Sequence, residues 1–105
     1  MTMQTPPASF TVAADHPCLA GHFPGRPLVP GVVLLDLAFA TLVKNSPDIG
    51  RLRGLGNAKF LQPVLPDQPV SVVFEFAASG DAVEFCCTTD SGIVAKGRFL
   101  VEGRR

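Results

Sequence analysis

Between Val32 and Val43 every position is apolar except Asp36 and Thr41, with Pro30-Gly31 ahead of the run and Asn45-Ser46-Pro47 behind it. Proline's fixed φ suits a helix entry, where its missing N–H is no loss, and Lys44 falls near the negative pole of the dipole. The pattern predicts one helix from Gly31 to about Lys44. A helix apolar on all sides is a buried one, so the rest of the chain is expected to wrap it. Elsewhere the apolar period is two. Phe10 and Val12 alternate with Ser9, Thr11 and Ala13, and Val72, Phe74 and Phe76 alternate with Val73 and Glu75. Val83, Phe85 and Cys87 alternate with Glu84, Cys86 and Thr88, and Ile93, Ala95, Gly97, Phe99 and Val101 with Lys96, Arg98 and Glu102. This is the signature of strands with one buried face. Strands are predicted at 9–13, 51–62, 70–78, 82–89 and 93–102, with turn-rich stretches between them and residues 1–8 as a frayed arm. The expected class is α+β, an antiparallel β-sheet wrapped around one long buried central helix, in a single domain over 1–105.

One stretch fits neither period. Asp15 to Pro30 holds four prolines and two glycines, too many for a helix or a central strand. Its length exceeds an ordinary connection, which points to a functional loop. It carries His16, read as structural, and His22. The acid in the helix, Asp36, is costly if buried, because an ionised carboxylate loses solvation or shifts its pKa. His22 and Asp36 are a possible acid–base pair, and Gly31 offers a backbone N–H at the positive end of the helix. An imidazole can remove a proton, a carboxylic acid can give one, and an N–H at a helix start can steady an oxyanion. Together they suit proton abstraction beside a carbonyl with loss of a neighbouring hydroxyl. A histidine in a Pro/Gly loop equally fits a structural hydrogen-bonder, and Asp36 a narrow solvated edge.

Helix geometry adds a constraint. Five residues separate Gly31 from Asp36, roughly 7.5 Å along the axis and about 140° around it. The helical neighbours of Asp36 are Val32, Val33, Phe39 and Ala40, none of which can pair with a carboxylate. Its partner has to come from elsewhere in the fold or from a second subunit.

Composition narrows the classes. At 105 residues the core is modest, and 47% hydrophobic content suggests a further surface buried by self-association. Nine basic and nine acidic residues cancel, so no broad footprint for nucleic acid or an anionic membrane is expected. The Val32–Val43 run is too short to span a bilayer, and the N-terminus shows no charged region followed by an apolar core. Cys18, Cys86 and Cys87 lack metal-ligand spacing, and with no secretion signal visible the cytoplasm is the default location.

Residues 16–36, His-Pro-Cys-Leu-Ala-Gly-His-Phe-Pro-Gly-Arg-Pro-Leu-Val-Pro-Gly-Val-Val-Leu-Leu-Asp, resemble the signature of the hotdog-fold 3-hydroxyacyl-acyl carrier protein dehydratases of the FabA/FabZ type. A second block, Ala58-Lys-Phe-Leu-Gln-Pro-Val-Leu-Pro-Asp67, resembles their Lys-Phe-x-x-Pro-Val-x-Pro-Gly-Asp stretch. The resemblance implies reversible dehydration of a 3-hydroxyacyl thioester without a cofactor. It implies His22 and Asp36 as the catalytic pair, on different subunits of an edge-to-edge dimer, and Gly31 N–H facing the thioester carbonyl. Phe23, Pro30, Val32, Phe39 and Phe60 are the implied acyl-site residues. Lys59, Arg26 and Arg53 are candidates to meet acyl carrier protein and its phosphopantetheine. The partner subunit is a second copy or another hotdog chain. Three departures stand out. The acid is Asp, as in the FabA-like branch, Ala40 replaces a Gln one turn beyond it, and Asp67 replaces the Gly of the turn. These and the short chain favour a specialised member, such as the small dehydratases beside ketosynthases in aryl polyene assembly. The competing readings are a non-catalytic acyl-binding or heterodimer subunit and a hotdog thioesterase.

Overall fold

The computed structural model describes residues 3–4, 8–13, 15 and 28–102. His16, Cys18, His22, Phe23 and Arg26 lie outside the described residues. The elements in chain order are β1 (Met3–Gln4), β2 (Ala8–Phe10), α1 (Gly31–Asn45), β3 (Leu52–Phe60), β4 (Val70–Phe76), β5 (Ala82–Thr89) and β6 (Gly92–Val101). All strands pair antiparallel. The sheet runs β1-β4-β5-β6-β3, and β2 also pairs with β4. Met3 and Gln4 thus continue the sheet opposite Phe76 and Glu75, where the sequence pattern had suggested a frayed arm. The first strand of the pattern is shorter than expected, ending at Phe10, and Val12 beyond it is still buried.

Helix α1 starts where Pro30 supplies an extended φ/ψ pair and accepts from the N–H groups of Val33 and Leu34. It ends with the Ser46 N–H donating to Leu42 O and Asn45 Nδ2 to Thr41 O, with Lys44 in the last turn. Thr41, polar within an apolar run, donates its hydroxyl to Leu37 O at 2.7 Å and so needs no outside partner. Leu34, Ala38 and Leu42, spaced one turn apart, share the core with Val72, Phe74, Val83, Phe85 and Phe99. Phe99 lies between two rings, edge-on to Phe39 at 5.1 Å and stacked on Phe85 at 4.5 Å.

The helix is not buried on all sides within one chain. Val32, Asp36, Ala40 and Val43 fall on one stripe, all exposed, Val32 to 66%. Among the described residues the sheet covers one side of the helix, and the stripe on the other side stays exposed.

Register explains a second difference. Cys87 pairs with Ala95 but Thr88 with Ile93, so Val94 is an extra residue and Val94 and Ala95 are both buried. Such a bulge flips the side-chain phase, which turns Ile93 outward where simple alternation had placed it inward. β3 carries another irregularity, three residues from Gly56 to Lys59 against two from Arg98 to Lys96. Asn57, at φ 53°, absorbs it, since Asn tolerates the left-handed region. At the centre of β6, a Cβ on Gly97 would lie 2.9 Å from both Ala58 Cα and Phe85 Cζ, so only glycine lets β6 approach there.

Candidate active site

The site is built from the start of α1 outward. Pro30 caps the helix without a side-chain hydrogen bond, and among the described residues no group accepts from the Gly31 N–H. A donor at this position carries the positive end of the helix dipole. Phe60, the last residue of β3, lays its ring on Gly31. A Cβ there would come within 2.9 Å of Phe60 Cζ, so glycine is what allows the ring to sit so near. Around the pair opens a cleft of about 490 Å³ walled by Val29, Leu34, Leu61 and Pro63 as well as Gly31 and Phe60.

The cleft is braced by hydrogen bonds. Val29 N–H donates to Val64 O at 2.9 Å, Leu61 N–H donates to Val94 O at 2.8 Å, and Gln62 Nε2 reaches Ser91 O and Ile93 O. The two sequence blocks that carry the family resemblance are therefore folded against each other, residues 58–64 across the entry of the helix. The turn that closes the second block, Leu65 to Gln68, puts Asp67 at φ 62°. This left-handed position explains why the family pattern has glycine there.

Asp36 lies elsewhere. It is exposed between Val32 and Ala40 on the uncovered stripe of α1, and no described residue hydrogen-bonds its carboxylate. It does not wall the cleft at Gly31. Of the residues singled out from sequence, Gly31 and Phe60 come together, Pro30 caps the helix beside them, and Val32 stands on the stripe with Asp36. Phe39 packs edge-on to Phe99, and His22 and Phe23 are outside the described residues. The sequence pattern does not single out Leu61, although it carries a signal there. Phe60 and Leu61 are adjacent large apolar residues, and a half-buried strand cannot bury both; here 52% and 51% of them stay exposed.

Cys87 is buried and its thiol is pushed up to about 12, first by burial and then by the neighbouring Cys86. That excludes it as a thiolate nucleophile. Among the described residues no group of three or more His, Cys, Asp or Glu could hold a metal ion, and no helix is long and apolar enough to cross a membrane.

A family model described as ApeI-like, ApeI dehydratase, matches residues 2–98. The chain belongs to the ApeI-like dehydratase family. Among named relatives, the 3-hydroxyacyl-[acyl-carrier-protein] dehydratase FabZ of Haemophilus influenzae (strain PittEE) is 38% identical over 63 residues, 52% of this chain and 43% of that protein. The FabZ of Myxococcus xanthus is 36% identical over 101 residues, 85% of this chain and 66% of that protein. The chain thus spans about half to two thirds of the length of these relatives. One solved structure, the dehydratase heterocomplex ApeI:P from Xenorhabdus doucetiae, superposes with a TM-score of 0.78 at 19% identity, covering 94% of this chain and 86% of that one. That match establishes the fold, a hotdog, and agrees with the sheet and helix that the sequence pattern predicts.

Proposed function

We propose that this chain dehydrates a 3-hydroxyacyl thioester, carried on acyl carrier protein, to the trans-2-enoyl thioester. The observation that carries the reading is the split of its functional groups. Gly31, the first residue of the helix, walls the cleft beside Phe60, while the only acid of the helix, Asp36, stands on a different, exposed face. A site completed by two chains needs that division. Membership in a dehydratase family supports the chemistry.

In the proposed reaction the acyl chain enters the cleft beside Phe60 and the thioester carbonyl accepts from the Gly31 N–H. The His22 imidazole takes the proton from C2, and charge moves onto the carbonyl oxygen, where the N–H and the helix dipole stabilise it. Asp36 of the partner subunit, covered there and protonated, gives its proton to the 3-hydroxyl as the C3–O bond breaks. The C2–C3 double bond forms, water leaves, and the proton on His22 returns to the carboxylate to reset the pair. The histidine and the acid meet at one substrate only when two chains come together.

The test is hydration of an enoyl thioester by the purified protein, followed by loss of the conjugated-thioester absorbance. Wild type is expected to be active, and His22→Ala and Asp36→Asn each to lose at least about a hundredfold in kcat, the low end for a general acid or base. An inert wild type that stays inert with a second hotdog chain overturns the proposal, and release of free acid marks a thioesterase instead.

A second reading has its own support. The solved relative is a heterocomplex, and Ala40 leaves Asp36 without a polar neighbour one turn along. On this reading the chain acts only beside a different hotdog subunit, and activity appears on mixing the two.

A further inference from the structure

On the outward face of the sheet, away from α1, charge is sorted by strand. Glu75 on β4 stands directly opposite Glu84 on β5, and Lys96 on β6 directly opposite Lys59 on β3. Like charges facing across adjacent strands destabilise a sheet. Arg98 on β6 relieves one of them, approaching Glu84 at 3.4 Å, but among the described residues Glu75, Lys59 and Lys96 make no ion pair. The acidic half and the basic half together line a cleft of about 650 Å³, with Cys86 in its wall between Val73 and Lys96. The basic edge is also low. Gly54 and Gly56 are paired with Leu100 and Arg98, and a Cβ on Gly56 would meet nothing within 4 Å.

We infer that this face pairs with the same face of a second copy of the chain, about a two-fold axis lying along the strands between β5 and β6. That axis sets β4 of one copy over β3 of the other, and β5 over β6. Glu75 then enters the open floor at Gly56 beside the other copy's Lys59 column, and Glu84 meets the other copy's Arg98. The columns of Glu75 and Lys59 are three strand spacings apart, about 14 Å, so the match holds across the whole width. A two-fold set across the strands would place acid on acid and base on base. The chosen axis also keeps the strands of the two sheets aligned, the common way for sheets to stack.

The face is about four strands wide and five residues deep, roughly 20 by 17 Å, smaller than a standard stable interface. Pairing is therefore weak, concentration-dependent and salt-sensitive. It uses a surface distinct from the free edge of β3. A homodimer through that edge would have its own two-fold, off this axis, and two separate two-folds build an open array. Closure follows when the edge partner is a different chain: two copies of this protein meet face to face, each with its own edge partner.

Sedimentation of wild type at low and high salt, with a short bismaleimide and mass spectrometry of linked peptides, tests this. The expected result is self-association at least about tenfold weaker at high salt, with a Cys86–Cys86 link, since Cys86 lies beside the axis. Glu75→Lys with Glu84→Lys gives a wholly basic face, and Lys59→Glu with Lys96→Glu and Arg98→Glu a wholly acidic one. Each variant, checked for folding by circular dichroism, is expected to lose the link alone and to regain it when the two are mixed. The inference is overturned if wild type gives no Cys86–Cys86 link, as it would if a different protein covers this face. It is also overturned if the folded variants still link alone, or if the mixture does not link.

Discussion

At the scale of single residues, Gly31 and Phe60 form a unit. The Phe60 ring is half exposed, so it can swing away from a new methyl at position 31, and Gly31→Ala is expected to cost only about 1–2 kcal/mol. Because the cost arises from the ring, Phe60→Ala should remove most of it. A urea-unfolding double-mutant cycle is expected to show coupling above about 0.5 kcal/mol, and additive effects would mean that the two do not press on each other. Cys87 makes a pH prediction. Its folded-state pKa is raised above the unfolded value, so the neutral thiol is held by the fold and the unfolded chain loses its proton first. Stability from this group is complete below the unfolded pKa and falls as pH rises from about 9 toward about 12. Urea midpoints of wild type should drop over that range more than those of Cys87→Val. In the native protein iodoacetamide should label Cys86 well before Cys87.

At the scale of elements, the join between helix and sheet runs through Phe99. It touches Phe39 of α1 and stacks on Phe85 of β5, with 1% of its surface exposed. Phe99→Ala leaves a cavity between the layers and is expected to destabilise by about 3–5 kcal/mol. Since Phe39 also loses its partner ring, the near-ultraviolet signal of the phenylalanines should weaken while the sheet signal in the far ultraviolet persists at low temperature. Thr41, which closes its hydroxyl onto Leu37 within the helix, should tolerate Thr41→Val with a change of about 1 kcal/mol or less in thermal unfolding.

At the scale of the whole molecule, the described residues leave apolar side chains exposed on two surfaces besides the cleft. One is the stripe of α1 that carries Asp36, and the other is the outer edge of β3, where Leu52 and Leu55 are 42% and 43% exposed. Contiguous apolar surface of this kind marks an interaction site. If another chain covers the stripe, a charge introduced there should separate the assembly without unfolding the monomer. Val43→Lys is expected to shift sedimentation toward the single chain while moving the unfolding free energy by about 0.5 kcal/mol or less, as for an exposed position. An unchanged sedimentation coefficient would place the partner elsewhere.

Much of this was legible in the residues themselves. The 3.6-residue and two-residue periods located α1, β4 and β5 to within a residue or two, because those patterns depend only on neighbours along the chain. The blocks around His22, Gly31 and Asp36 and at 58–67 announced the family and the chemistry to look for. What the tertiary structure alone decided depends on residues far apart in sequence. Which side of the helix its own sheet covers was hidden in a run apolar all round, so Asp36 emerged on the open stripe only once the sheet was in place. Ile93 faces outward because β6 carries an extra residue against β5, and a register shift is a property of two strands together. Phe60 meets Gly31, and Lys59 meets Lys96, for the same reason: pairing across β3, β6 and α1 brings together positions whose own neighbourhoods carry no mark of each other.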